Sequence, residues 1–151
     1  MTEPAPIDPD VDLHVAAERA ELRPSPLPVL AAISAGGVIG TLARYGISVA
    51  WPHRPGGFPW STFVVNVSGC LLIGVLMAVL TERVVTWRLA RPFLGVGVLG
   101  GYTTFSTYVV DIGRAASAGS AGTALAYLAA TLAGAVAAVW AGSALTHQVL
   151  R

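Results

Sequence analysis

The run GGYTTFSTY, residues 100–108, gathers most of the groups in this chain that could do chemistry. It lies inside a charge-free stretch from Pro92 to Val110, where a helix interior would ordinarily be Leu and Val. Gly100 and Gly101, followed by Thr103, Thr104, Ser106 and Thr107, weaken helical hydrogen bonding at one place. Glycine disfavours the helix, and Ser and Thr hydroxyls bond back to nearby carbonyls. Two readings follow: a break in the helix, or a continuous Gly/Thr-rich helix that serves packing. A break at membrane depth must be buried in protein or line water, and its freed carbonyls are hard oxygen ligands for a small cation. Phe105 and Tyr108, three residues apart, face similar directions where the backbone is helical. A ring edge carries partial positive charge, so it can attract a small anion without holding it fast.

Four other polar positions stand out. Arg44, near the end of the first apolar stretch, either snorkels to the interface or lines an aqueous anion vestibule, since a guanidinium in hydrocarbon is costly. Asn66 needs amide partners that lipid cannot supply; it either bonds another helix or presents its two donors to an acceptor such as an anion. Tyr127 and Thr131, four apart, form a short polar stripe in a run of Ala, Leu, Gly and Val. Gly36 and Gly40 clear one face of a helix so that another backbone can approach. Cys70, the single cysteine, excludes an internal disulfide and a thiolate metal cluster and reads as a small core residue. Beyond the N-terminal segment the carboxylates are Glu82 and Asp111, both expected at helix ends, so no embedded acid is expected to couple protons to a cation. No HExxH, GxSxG or cysteine cluster is present, and His14, His53 and His147 fall in the tail, a loop and a helix end. Enzymatic chemistry has no evident residues to work with.

The elements that must position these groups are membrane helices. Of the 151 residues 54% are hydrophobic and 11% charged, with a mean hydropathy of +0.68, which is outside the soluble range. A helix needs about 20 apolar residues to cross the hydrocarbon core. The charge-free windows Pro24–Ala43, Pro55–Thr81, Pro92–Val110 and Ala115–Leu150 predict four spans. Their expected bounds are the Pro24–Pro28 region to Val49, Pro59 to Thr81, Pro92 to Asp111, and Thr123 to His147. "GRAASAGSAG" reads as the last loop. Trp51, Trp60, Trp87 and Trp140 read as interfacial belts near helix ends. Residues 1–25 carry six acidic residues and four prolines but no apolar core; they read as a polar, disordered tail rather than a signal peptide, ahead of a four-helix domain at 26–149. The nine basic residues, all Arg, are scattered among loops and give a net charge of +1, which argues against a nucleic-acid partner.

Four spans place both termini on one side. That side carries Arg19, Arg23, Arg83, Arg88, Arg91 and Arg151, against Arg54 and Arg114 on the other, with Arg44 near the end of helix one. The bias predicts cytoplasmic termini.

Three segments carry a resemblance: Gly36, Gly37, Gly40, Arg44 and Tyr45 in helix one; Thr62, Phe63, Asn66 and Gly69 in helix two; and GGYTTFST in helix three. Their order and spacing, over about Ala35 to Gly142, are similar to the CrcB/Fluc fluoride channel family. The resemblance implies an all-α, four-helix subunit with helix three broken near mid-membrane, assembled in the plasma membrane as an antiparallel, dual-topology dimer with two separate pores. It implies passive fluoride export that protects against fluoride toxicity: hydrogen fluoride crosses membranes uncharged and dissociates inside, so a selective leak lowers the internal concentration. It further implies a fluoride pathway of Asn66, Phe105, Ser106, Thr107, Tyr108, Tyr127, Thr131 and Arg44, and a structural sodium at the dimer centre held by the carbonyls of Gly100 and Thr103, with no organic cofactor. Two departures stand out: Tyr108 occupies a position that is usually Phe, and Ala135 replaces a hydroxyl on helix four. The arginine bias fits a chain of fixed orientation, so the partner is either a second copy or a homologous, oppositely inserted subunit. The competing readings are a small four-helix multidrug exporter, which needs an intramembrane carboxylate, and a non-transporting membrane scaffold.

Overall fold

In a computed structural model the described residues, 27–54, 56–82 and 88–150, are helical apart from short turns and contain no strand. The expected N-terminal tail, together with Arg19, Arg23, Arg83, Trp87 and Arg151, lies outside these residues. Four helices are long and apolar enough to cross a membrane. They are α1, Leu27–Ala50; α2, Trp60–Glu82; a composite third span, Arg91–Ser117; and α4, Ala121–Leu150. The third span begins as a π-helix over Arg91–Leu99, with Pro92 in its first turn, where a missing N–H leaves no bond unmade. One helical turn, Gly100–Tyr102, follows. The span resumes as α3, Phe105–Ser117, and is closed by Gly119 at φ +76°, a left-handed position that glycine takes without strain.

Two boundaries differ from the sequence expectation. α3 continues past Asp111 to Ser117, because Gly113, Ala115, Ala116 and Ser117 have a loop-like composition that membrane helices absorb readily. Asp111 therefore sits inside a helix rather than at its end. Trp140 is not at a helix end either: it lies seven residues before His147, whose Nδ1 meets Glu82 Oε1 at 2.9 Å and marks the polar level at that end. At about 1.5 Å per residue Trp140 is roughly 10 Å inside that level. Trp51 and Trp60 do lie at the ends of α1 and α2 and are half exposed, as belt residues are.

Glycine sets the packing. A Cβ on Gly36 would strike the Phe93 carbonyl, and one on Gly40 the Val98 carbonyl, while Gly97 and Gly101 are pressed in return against the carbonyls of Ile33 and Gly37. α1 and the π-helical segment thus meet backbone to backbone, the role expected for Gly36 and Gly40. On the other side α2 and α4 form a second close pair, with Gly74 against Val139 and Gly142 against Leu71. The outward faces, including Leu42, Val136 and Leu145, are apolar and exposed, as lipid-facing surfaces are. Gly40→Ala is expected to destabilise the bundle by about 1–3 kcal/mol, the range for overpacking a filled site, because its obstacle is backbone that cannot rotate away. Gly46→Ala, whose Cβ would meet nothing within 4 Å, is expected to be neutral. Thermal melting of the two variants in detergent checks the contrast.

Candidate functional site

At Thr103 and Thr104 the third span is extended, with φ/ψ of −80°/158° and −150°/121°. This is the break expected from the run 100–108, and it falls near the middle of the 27-residue span. Asn66 on α2 holds it open. Its Nδ2 donates to the Thr104 carbonyl at 2.9 Å and its Oδ1 accepts from the Thr104 N–H at 2.8 Å. One amide side chain thus pairs both backbone groups of an extended residue, which solves the problem of non-helical backbone at this depth.

The same bonds strip two carbonyls of their helical partners. The Thr104 N–H, which a continuous helix would direct to Gly100 O, goes to Asn66. The Thr107 N–H, which would close on Thr103 O, goes instead to Thr104 Oγ1 at 3.2 Å in an N-cap. Gly100 and Thr103 are therefore two of the positions whose carbonyls this break frees, and carbonyl oxygens are the donor set that small hard cations prefer. Of the two carbonyls between them, Gly101 O is already engaged, accepting from Arg44 Nε at 3.1 Å and Thr41 Oγ1 at 3.4 Å. Arg44 thus ties α1 to the break, and it does not line the adjoining cavity. Gly69 faces the Thr103 methyl so closely that a Cβ would collide with it; the missing side chain makes room for the break.

Beyond the break α3 starts with the positive end of its dipole at mid-span, dressed with hydroxyls. Thr104 Oγ1 donates to Thr107 Oγ1 at 3.0 Å and lies 3.3 Å from Ser106 Oγ. A cavity of about 380 Å³ opens beside it, lined in part by Asn66, Thr104, Phe105, Tyr108 and Thr131. Phe105 is 75% exposed, so this cavity opens toward the side of the bundle. Its ring lies 5.8 Å from that of Tyr108, which in turn lies 5.2 Å from Tyr127, and Tyr127 meets Phe58 edge to face at 5.2 Å. The Tyr108 hydroxyl donates to the Leu128 carbonyl at 3.0 Å, so the phenol that replaces the usual Phe engages α4 rather than the cavity. Tyr108→Phe is expected to lower stability by about 1 kcal/mol and to leave ion flux within about threefold, as read by melting and efflux on the same preparation.

Tyr127 is fully buried and Thr131 nearly so, yet neither Tyr127 Oη nor Thr131 Oγ1 makes a hydrogen bond of good geometry, although the Tyr127 hydroxyl lies close to the side chains of Thr62 and Thr131. A third such atom is Asp111 Oδ1, on a residue 2% exposed. Its other oxygen accepts from Thr62 Oγ1 at 2.8 Å. Buried polar atoms are almost always paired, so each exception calls for an explanation. Composition obscured Asp111, because the helix was expected to stop there; the visible cue was a lone acid in the apolar run YVVDIG. A buried acid is thus present where none was expected, at the level of Thr62 near the start of α2 rather than at mid-span. Among the described residues no group of three His, Cys, Asp or Glu could hold a metal, and Cys70 is a free thiol lining the 380 Å³ cavity.

Residues 31–143 match the family described as "CrcB-like protein, Camphor Resistance (CrcB)". The chain is 51% identical over 135 residues to a Streptomyces avermitilis protein named "Fluoride-specific ion channel FluC 2", covering 87% of this chain and 85% of that one. It is 52% identical over 124 residues to "Fluoride-specific ion channel FluC 1" of Streptomyces coelicolor, covering 82% and 80%. It is also 52% identical over 123 residues to "Fluoride-specific ion channel FluC 2" of Thermobifida fusca, covering 82% and 91%. A match across most of the chain and of its relatives, through every span that builds the site, places the protein: it belongs to the CrcB family.

Proposed function

We propose that this chain is a fluoride-selective channel subunit giving passive export of cytoplasmic fluoride, and is not an enzyme. The observation that carries the reading is the break in the third span. It sets the start of α3, with Thr104 and Phe105, on one cavity with Asn66, in a chain about half identical to proteins named for fluoride channels. The hydroxyls of Ser106 and Thr107 stand behind Thr104 Oγ1 without lining that cavity.

A dehydrated fluoride needs hydrogen-bond donors and positive edges that bind weakly enough to let it leave. The second Asn66 N–H, the ring edges of Phe105 and Tyr108, and the buried hydroxyls of Tyr127 and Thr131 supply these in succession. Arg44 adds positive charge beside the break without entering the track. The carbonyls of Gly100 and Thr103, whose helical donors are diverted, would hold a structural sodium ion, which would supply a fixed positive charge beside the break.

A second subunit, another copy of this chain or a homologous chain inserted the opposite way, covers the side on which Phe105 is exposed. The pair sits in the plasma membrane, with this chain's termini in the cytoplasm where its orientation is fixed. The exporter reading now has a buried carboxylate to appeal to, but Asp111 is bonded to Thr62 at the rim and away from the break. The scaffold reading leaves three buried polar atoms unexplained. Expression in a bacterium lacking its own fluoride export is expected to restore growth in fluoride. Folded protein in the membrane with no gain in resistance would overturn the proposal.

A further inference from the structure

A second cavity, of about 530 Å³, opens on the loop side of the bundle, the face opposite the termini, lined by His53, Gly56, Gly57, Asp111, Arg114 and Ala115 among others. At its inner wall stands Asp111 Oδ1, buried and without a hydrogen bond. His53 Nε2 lies 3.9 Å from it and Arg114 Nη1 lies 3.6 Å from it, both beyond hydrogen-bonding reach. Asp111 Oδ1 thus faces a ring nitrogen and a guanidinium across gaps wider than a hydrogen bond. Asp111 lines this cavity and Thr131 the first; Tyr127, one turn before Thr131 on α4, lines neither.

We propose that His53, Arg114 and Asp111 form a proton-responsive mouth that collects fluoride for the polar track, an inference that rests on the fluoride reading above. The charge arithmetic gives the sign. With a neutral imidazole, Arg114 and Asp111 cancel and Arg54 beside the mouth leaves one net positive charge. With a protonated imidazole there are two, and a cleft of one sign focuses counter-ions more strongly as its charge grows. Histidine changes charge in the physiological range, so flux should rise as pH falls. The other charged or titratable groups near the imidazole, among the described residues, are Arg54 beside it in the loop and Tyr127 behind Asp111.

The test is fluoride efflux from vesicles reconstituted with the full chain, at equal pH inside and out, with the leak of protein-free vesicles subtracted at each pH. From about pH 8 to about pH 5 wild-type flux is expected to rise on the order of threefold to tenfold. His53→Gln is expected to hold flux at the alkaline level throughout, and His53→Arg at the acid level. A flat wild-type profile overturns the proposal. So does a slope retained in His53→Gln, which would assign the proton to Asp111, and so does equal flux in the Gln and Arg variants. Absence of wild-type flux at every pH overturns the fluoride reading and this one with it, whereas flux that ignores pH overturns this one alone.

Discussion

Asn66→Leu is expected to reduce fluoride flux by about a hundredfold or more while leaving the chain helical. The substitution keeps the bulk of the side chain but removes both partners of Thr104, which now has its N–H and its carbonyl paired by one amide at 2.8 and 2.9 Å. Each buried backbone group left unpaired costs about 1–3 kcal/mol, so the pair costs roughly 2–6 kcal/mol, against about 1.4 kcal/mol per tenfold change in rate. The cheapest relief is for Thr104 N–H to return to Gly100 O, which mends the helix and swings Phe105 and the α3 N-terminus away from the cavity. Asn66→Asp separates this effect from a loss of donors. It keeps an acceptor for the Thr104 N–H, loses the donor to the carbonyl and adds a negative charge on the anion's way, so it is expected to fold with the break retained and still to conduct poorly. Efflux together with melting in detergent checks both variants; wild-type flux in Asn66→Leu would show that the clamp is dispensable.

Phe105→Ile is expected to lower flux by about tenfold with little change in stability. Phe105 is among the most exposed large apolar residues in the subunit, so its removal leaves little of the single-chain core unfilled. What it takes away is the aromatic edge on the cavity beside Asn66 and Thr104. Oriented contacts of aromatic rings contribute about 0.5–1.5 kcal/mol beyond their area, which at the upper end is a factor of about ten in rate. Isoleucine fills similar space without an electropositive rim, so a fall in flux would belong to the ring's charge distribution rather than its volume. Wild-type flux in Phe105→Ile would remove Phe105 from the pathway.

The sequence carried the number of spans, because charge-free windows of membrane length are a coarse signal that side-chain detail cannot disturb. It also carried the place of the break, since paired glycines followed by clustered hydroxyls weaken the helix through local chemistry. The manner of holding the break was not legible. That Asn66 would take both Thr104 backbone groups depends on α2 and the third span meeting at one height, and sequence spacing within one helix does not fix height on another. The end of α3 was misplaced for a related reason: Gly, Ala and Ser next to Arg114 have the composition of a loop, and only packing shows that they continue a helix. That error hid Asp111, and with it the meeting of His53, a loop residue, with a carboxylate more than fifty positions away. The phenol of Tyr108 likewise looked like a new group on the pathway until its bond to the Leu128 carbonyl turned it toward α4.

The central claim is that a mid-membrane break in the third span creates an uncoupled conduit for fluoride. The most direct measurement is the release of fluoride and of chloride from vesicles reconstituted with this chain, each loaded with one halide and given only a potassium ionophore to balance charge. Fast fluoride release with chloride retained, unaffected by collapsing the proton gradient, is the expected result. Equal release of both halides, or fluoride release only when a proton gradient drives it, would contradict the claim.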